Sequence, residues 1–379
     1  MSVKGENTFA IAVPDEQLSL LSKKLALVTL PDEIDDANWD YGVPLTNIKR
    51  LVDRWKNGFD WRKQETALNA ELPQFMRDID VEGYGTLNIH YVHKKSEVGG
   101  AIPLLFVHGW PGSFIEVRKL LPFLIEASPD HPSFHVVAIS LPGYGFSSAP
   151  SKKGFEITQY AEVAHKLMLA LGYDEYAGPP TTSRPFVWLG HALSGLPFLS
   201  YNKREKTGFQ RSAWFQRWGR GYFAEQATRP QTLGYSLADS PVGLLAWIYE
   251  KLVEWTDNYN WDDDEVLTWI SIYWFSRAGP AAFVRIYYES LKAANGKDLF
   301  SLVVDTKIPV GYSYFPKELV ISPRSWTRVH NLVFESEHEE GGHFAAYEKP
   351  ELLAGDLRKM FGKGGGAFGV VKDKNGYNS

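Results

Sequence analysis

Ile102-Pro103-Leu104-Leu105-Phe106-Val107-His108-Gly109-Trp110-Pro111-Gly112-Ser113 is the stretch from which the architecture can be read outward. Its first six residues form a continuous apolar run, as a strand buried on both faces of a parallel sheet does. The turn that follows is bracketed by glycines and leads into a helical pattern over Phe114–Ala127. In open α/β sheets, ligands bind where such turns leave the carboxyl ends of the strands. Glycine lets the backbone approach a ligand closely, so the amides of this turn can stabilise an oxyanion. Taken alone, the same string is also an ordinary tight strand-to-helix turn.

Downstream, Phe134–Ile139 is a second apolar strand, followed by the turn Leu141-Pro142-Gly143-Tyr144-Gly145-Phe146-Ser147 and an amphipathic helix over Ile157–Leu171. Phe186–Leu189 reads as a short strand ending at Gly190. Lys203–Leu299 is rich in helix formers and aromatic residues. Two late strands, Lys307–Gly311 and Val329–Phe334, precede a last helix at Pro350–Phe361. Upstream, Leu87, Ile89 and Tyr91 alternate with polar neighbours, as a half-buried strand does. The first 75 residues read as an all-helical lead-in. One helix opens at Pro14 and carries Leu18, Leu21 and Leu25. Another follows Pro44 with Ile48, Val52 and Trp55, and Trp61–Ala70 is a third. Strands alternating with helices, plus a helical insertion, give an α/β class: an open, mainly parallel sheet carrying a cap. Gly362–Gly366 opens a polar tail expected to be mobile.

The composition removes several functions at once. The 379 residues include no Cys, which excludes disulfides, thiolate nucleophiles and Cys-ligated metal centres. A formal charge of −5 provides no field for nucleic acid or anionic membranes. No window offers about 18 uninterrupted apolar residues, so no membrane span is expected and a cytoplasmic location is. The 13 Trp, 19 Tyr and 22 Phe suit a densely packed core and a site for apolar substrates.

The two turns together, His108–Ser113 and Leu141–Ser147, resemble the α/β-hydrolase family, in which the first supplies half of the oxyanion hole. Glu16–Leu27 and Trp39–Trp61 are similar to the N-terminal meander of the microsomal-type epoxide hydrolases. The resemblance implies an α/β-hydrolase fold with that meander and a helical cap. Its parts are a meander region over 1–100, a first part of the core over 101–202, the cap over 203–300, a second part of the core over 301–362, and a flexible tail over 363–379.

His343 lies in Glu340-Gly341-Gly342-His343-Phe344-Ala345-Ala346, just past the last apolar strand. Imidazole titrates near neutrality and suits general-base work. A His on a loop is also a common surface residue, but this string is similar to the base-bearing loop of these hydrolases. His338 and His343 are separated by two glycines among other residues and form no helical i,i+4 pair, so they do not read as metal ligands. By resemblance, Glu318 in Phe315-Pro316-Lys317-Glu318-Leu319 is the acid that orients the base, twenty-five residues earlier. Two cap tyrosines hydrogen-bond the epoxide oxygen in the family. Gly219-Arg220-Gly221-Tyr222 and Arg285-Ile286-Tyr287-Tyr288 match them at Tyr222 and Tyr287, with Tyr288 as the rival in register. The amides of Trp110 and Leu193 would hold the ester oxyanion. The substrate implied is a small apolar epoxide, the product a vicinal diol, and the family mechanism uses no metal or organic cofactor.

The pattern breaks at the nucleophile. The family places Gly-Gly-Asp-Trp-Gly on the sharp turn after a strand. Here Phe186–Leu189 runs into Gly190-His191-Ala192-Leu193-Ser194-Gly195, with small residues at Gly190 and Ser194 but Ala192 between them. No Asp or Glu occurs between Glu175 and Glu205. Ser194 as nucleophile, an esterase reading, would place the bulky Leu196 where the elbow needs a small residue. The disturbance covers Ala177–Asn202. Ala192 and Tyr222 stand 30 residues apart, where the resemblance implies about twice that span, holding a strand, a helix and the first cap segment. Three explanations stand side by side: a mis-spliced or frame-shifted reading of the gene, a non-catalytic ligand-binding relative, and a diverged elbow.

Overall fold

The computed structural model describes residues 6–178, 202–293, 308–321, 323–324 and 331–378. The apolar runs form the centre of a mixed sheet. Strands β1 (Asn7–Phe9), β2 (Gln74–Val81), β3 (Gly85–Lys94), β4 (Ile102–Val107) and β5 (Phe134–Ile139) lie in the order β1-β2-β3-β5-β4. β1, β2, β3 and β5 pair antiparallel in turn, and β4 pairs parallel with β5 from Ile102↔Phe134 to Val107↔Ile139. On the free side of β4, Ala177 forms a parallel bridge to Leu104, with Leu105 N–H donating to the Ala177 carbonyl at 2.8 Å. A separate parallel pair joins β6 (Val310–Tyr314) to β7 (Leu332–Glu337).

Two helices were expected before residue 57 and a third at Trp61; they are α1 (Asp15–Ala26), α2 (Leu45–Asn57) and α3 (Trp61–Glu71). The all-helical reading of the first 75 residues is corrected at both ends. Asn7–Phe9 adds an edge strand, and Gln74–Val81 is the first arm of a hairpin. Its turn uses Gly83 and Gly85 at φ +78° and +83°, conformations that cost glycine little. The carboxylates of Asp78 and Asp80 masked the β2 alternation, yet they face Asn88 and Thr86 across the pair and hydrogen-bond to them.

Helix α4 (Val117–Ile125) packs on β5, and α5 (Ile157–Ala170) on β2. The cap is helical: α6 (Lys203–Trp214), α7 (Gly221–Thr228), α8 (Pro230–Asp239), α9 (Pro241–Glu254), α10 (Asp263–Trp274) and α11 (Arg285–Ala293). The chain closes with α12 (Ala345–Glu348) and α13 (Pro350–Phe361). Meander helices α1, α2 and α3 pack on cap helices α9 and α10. The paired bonds from Arg54 to Asp264, both 2.8 Å, and the Lys24–Asp239 contact at 2.6 Å tie these layers together. Partly exposed pairs of this kind contribute about 0–1 kcal/mol each, so the buried faces carry most of the association.

The tail expected to be flexible is instead packed. Ala367, Val371 and Tyr377 are buried, Gly376 N–H donates to Gly100 O at 2.7 Å, and Ser133 N–H donates to Gly376 O at 2.8 Å. Its apolar residues are too widely spaced to show a period, which hid this docking in the sequence. Among the described residues no helix is long and apolar enough to cross a membrane.

Candidate active site

The loop after β4 and the loop after β5 are locked together by His108. Its ring is fully buried, and burial lowers it to about 4, so it is neutral near pH 7. Nε2 accepts the Leu141 N–H at 3.2 Å, and Nδ1 faces Gly109 O at 3.1 Å. His108 therefore supports the two loops rather than reacting. The next peptide, Trp110–Pro111, is cis. The Trp269 indole donates to Pro111 O at 2.7 Å and the Tyr273 phenol to Gly112 O at 2.5 Å, so cap helix α10 fixes the loop from above. Trp110 N–H has no main-chain partner among the described residues, as a donor kept for a ligand requires.

The Trp110 ring, 4 % exposed, forms the floor of an aromatic cluster. It stacks on Tyr222 with centroids 4.6 Å apart and meets Trp255 at 5.8 Å and Tyr287 at 6.1 Å. Tyr222 is at the start of α7, directly after a five-residue π turn at Phe215–Gly219, and Tyr287 is in the first turn of α11. Their rings lie 5.9 Å apart at an interplanar angle of 67°. Burial pushes both phenols upward from their ordinary value, so both are neutral proton donors at any physiological pH. Tyr288 faces elsewhere, with its hydroxyl near Lys292 Nζ at 3.4 Å on the exposed side of the helix. The register rivals are thus separated in space: Tyr287 joins the cluster and Tyr288 does not.

Glu318 and His343 come from the loops that continue β6 and β7. These loops run side by side through a parallel bridge at Lys317↔Gly342. Glu318 Oε1 lies 2.7 Å from His343 Nδ1, which leaves Nε2 as the nitrogen able to take a proton. Burial raises Glu318, but the imidazole charge and hydrogen bond outweigh it and hold the carboxyl below the ordinary range. For His343, burial works against the charged form and is outweighed by Glu318, with Glu116 and Glu348 adding, so the ring lies above 6.5. The His343 loop is held from two sides: His343 N–H donates to Trp255 O, at the end of cap helix α9, at 2.8 Å, and Gly342 N–H to Glu348 of α12 at 2.8 Å. A Cβ on Gly342 would stand 2.4 Å from that Trp255 carbonyl, which is why the position needs glycine. Trp255 connects both halves of the site, with its ring 5.1 Å from His343 and 5.2 Å from Tyr222.

Glu116 also belongs to this region and went unassigned in the sequence. It receives Ser113 N–H at 3.1 Å in a capping box at the start of the helix after the oxyanion loop. The Ser113-x-x-Glu116 spacing is the signal that could have found it. Burial pushes its carboxyl up to about 8, against the smaller pulls of His343 and Ser113, so it is protonated near pH 7. Because this folded value exceeds the ordinary 4.5, the folded chain holds an extra proton between about 4.5 and 8, and this group's contribution to stability falls as pH rises through that window. Glu116→Gln keeps the acceptor and removes the titration. At pH 8 the variant is expected to be more stable than the parent by ~4 kcal/mol, with the difference nearly vanishing near pH 4.5. Denaturant midpoints at the two pH values check this, and a parent that gains on the variant as pH rises would contradict it.

Ala192, Leu193, Ser194 and His191 lie outside the described residues, as does the expected strand at Phe186–Leu189. The five other expected site residues, Trp110, Tyr222, Tyr287, Glu318 and His343, come together around the aromatic cluster.

Comparison with known proteins gives the family. Residues 6–117 match the family described as epoxide hydrolase N terminus, and residues 102–177 match the alpha/beta hydrolase fold family. A putative epoxide hydrolase of Stigmatella aurantiaca is 36% identical, over 94% of this chain and 85% of that protein. Epoxide hydrolase 1 of Sus scrofa is 33% identical, over 93% of this chain and 88% of that protein. The solved structure of Aspergillus niger epoxide hydrolase superposes with a TM-score of 0.77 at 34% identity, covering 94% of this chain and 96% of the other. The Bombyx mori juvenile hormone epoxide hydrolase gives a TM-score of 0.82 at 26% identity, with 93% of each chain covered. With relatives of this similarity along nearly its whole length, the chain belongs to the epoxide hydrolase family and has its α/β-hydrolase fold.

Proposed function

We propose that this site is the proton-transfer half of an epoxide hydrolase acting on a small apolar epoxide, and that the chain as it stands lacks the nucleophile for the first step. In the complete reaction a carboxylate oxygen attacks an epoxide carbon, forming a C–O ester bond and breaking the ring C–O bond. Tyr222 and Tyr287 hydrogen-bond the departing oxygen and protonate it. His343 Nε2 then takes a proton from water, which attacks the ester carbonyl while Glu318 stabilises the imidazolium. The tetrahedral oxyanion rests on the amides of Trp110 and Leu193. Collapse breaks the ester C–O bond as the imidazolium gives its proton to the leaving alkoxide. The carboxylic acid so formed returns a proton to the phenolate of the tyrosine that protonated the first oxygen, and the vicinal diol leaves with the carboxylate regenerated.

The observation that carries the reading is the 2.7 Å contact from Glu318 to His343 beside two neutral phenols in an apolar, ring-lined cluster. The cluster suits an uncharged substrate, since a charged one would lose its hydration without compensation. Ala192 at the elbow position removes the attacking group. The alignment to the Sus scrofa relative runs over 413 residues against 379 in this chain, so part of that protein falls opposite gaps here. Incubation with styrene oxide is expected to give no more diol from this chain than from its His343→Ala variant. Diol clearly above that control would overturn the missing-nucleophile reading.

A further inference from the structure

β6 and β7 end side by side, and each runs directly into one member of the acid–base pair: β6 into Phe315–Glu318, β7 into His338 and on to His343. A second buried polar set joins those two strand ends to α13. Asp356 is 2 % exposed and receives the Ser313 hydroxyl of β6 at 2.6 Å through Oδ2. His338 Nε2, just past β7, lies 2.6 Å from the same oxygen. The His338 ring stacks on Phe315, with centroids 4.6 Å and planes 17° apart, so the first residue after β6 lies against the first residue after β7. The main chain follows the same alignment: His338 N–H donates to Tyr314 O at 3.0 Å and Lys317 N–H to Gly341 O at 3.1 Å.

Asp356 Oδ1 is buried without a partner among the described residues. A carboxylate in that position costs stability, and apolar packing could attach the helix to the sheet at least as well. What the carboxylate adds is direction, because two donors from two strands converge on one oxygen. We propose that Asp356, acting through Ser313 and His338, is a positioning residue for the acid–base pair, setting the register of the β6 and β7 ends so that Glu318 meets His343. The inference rests on the reading of that pair given above, and it does not depend on the elbow.

The test is an NMR titration of the His343 imidazole in the full chain, assigned by comparison with His343→Ala. Asp356→Ala is expected to lower the His343 midpoint by about 1 pH unit, the scale of a weakened contact with one carboxylate. Asp356→Asn, which keeps an acceptor oxygen in place, is expected to stay close to the parent. A loss of thermal stability in Asp356→Ala with no movement of His343 would make Asp356 a plain structural tie and overturn the proposal. An Asn variant that behaves like Ala would assign the effect to charge and overturn it too. If Asp356→Ala does not fold, Ser313→Ala and His338→Asn must each lower the same midpoint, and failure of either to do so overturns it. Glu318→Gln is the separate control: if it leaves His343 unmoved, the acid–base pair itself fails, whatever Asp356 does.

Discussion

A chimera in which the residues between Tyr176 and Lys203 are replaced by the aligned segment of the Stigmatella aurantiaca relative is expected to form diol from styrene oxide on the order of 10⁴-fold faster than the unaltered chain. The magnitude follows from the cost of removing a nucleophile, which in enzymes that work through a covalent intermediate is about as large as losing the whole catalytic set. The position suits a graft. The chain enters this segment beside β4, at the Leu104↔Ala177 bridge, and leaves it at the capping box of Asn202 and Glu205 that starts α6. On the proposed mechanism the remaining groups all lie outside the graft: His343 as base, Glu318 as its carboxylate, the phenols of Tyr222 and Tyr287, and the Trp110 amide. Ala192→Asp alone is expected to restore little, because a carboxylate attacks usefully only when the elbow holds it in line with the ring carbon. A chimera that folds, judged by an unchanged thermal midpoint, and still makes no diol would show that the surrounding site is not competent.

Within that chimera, removing both phenols is expected to cost about 10³-fold in diol formation, the scale of positioned proton donation, and each single Tyr→Phe change about 10- to 100-fold. The singles cost less because the two rings are neighbours, with centroids 5.9 Å apart, and either hydroxyl can serve the departing oxygen. Tyr288→Phe is expected to stay within about 2-fold, since the effect of removing a hydroxyl on the exposed side of the helix is small. Steady-state rates for the four variants check this. A Tyr288 variant as damaged as Tyr287→Phe would show that α11 presents the other register.

Much of this was legible in the sequence, for identifiable reasons. β4, β5 and α13 were readable to within a residue because continuous apolar runs and a proline start leave little freedom. Tyr222, Tyr287, Glu318 and His343 stand out only through the strings around them, since a Tyr or Glu alone carries no signal in a chain with 19 Tyr. β2 was hidden by aspartates that pair across a hairpin, and the packed tail by sparse apolar residues. Glu116 and Asp356 were hidden for a deeper reason. Each reads as a helix-surface charge, and only burial by segments distant in sequence turns one into a neutral acid and the other into a shared acceptor. His108 reads in sequence as part of a ligand-binding loop, whereas its tertiary role is to connect that loop to the next.

Intact-mass spectrometry tests the central claim most directly. The unaltered chain and the chimera, each carrying His343→Ala so that an ester once formed cannot be hydrolysed, are incubated with styrene oxide. The account predicts that the chimera gains the mass of one substrate molecule, attached at the grafted aspartate, and that the unaltered chain gains nothing. A stoichiometric adduct on the unaltered chain, at Ser194 or at any residue between Tyr176 and Lys203, would contradict it.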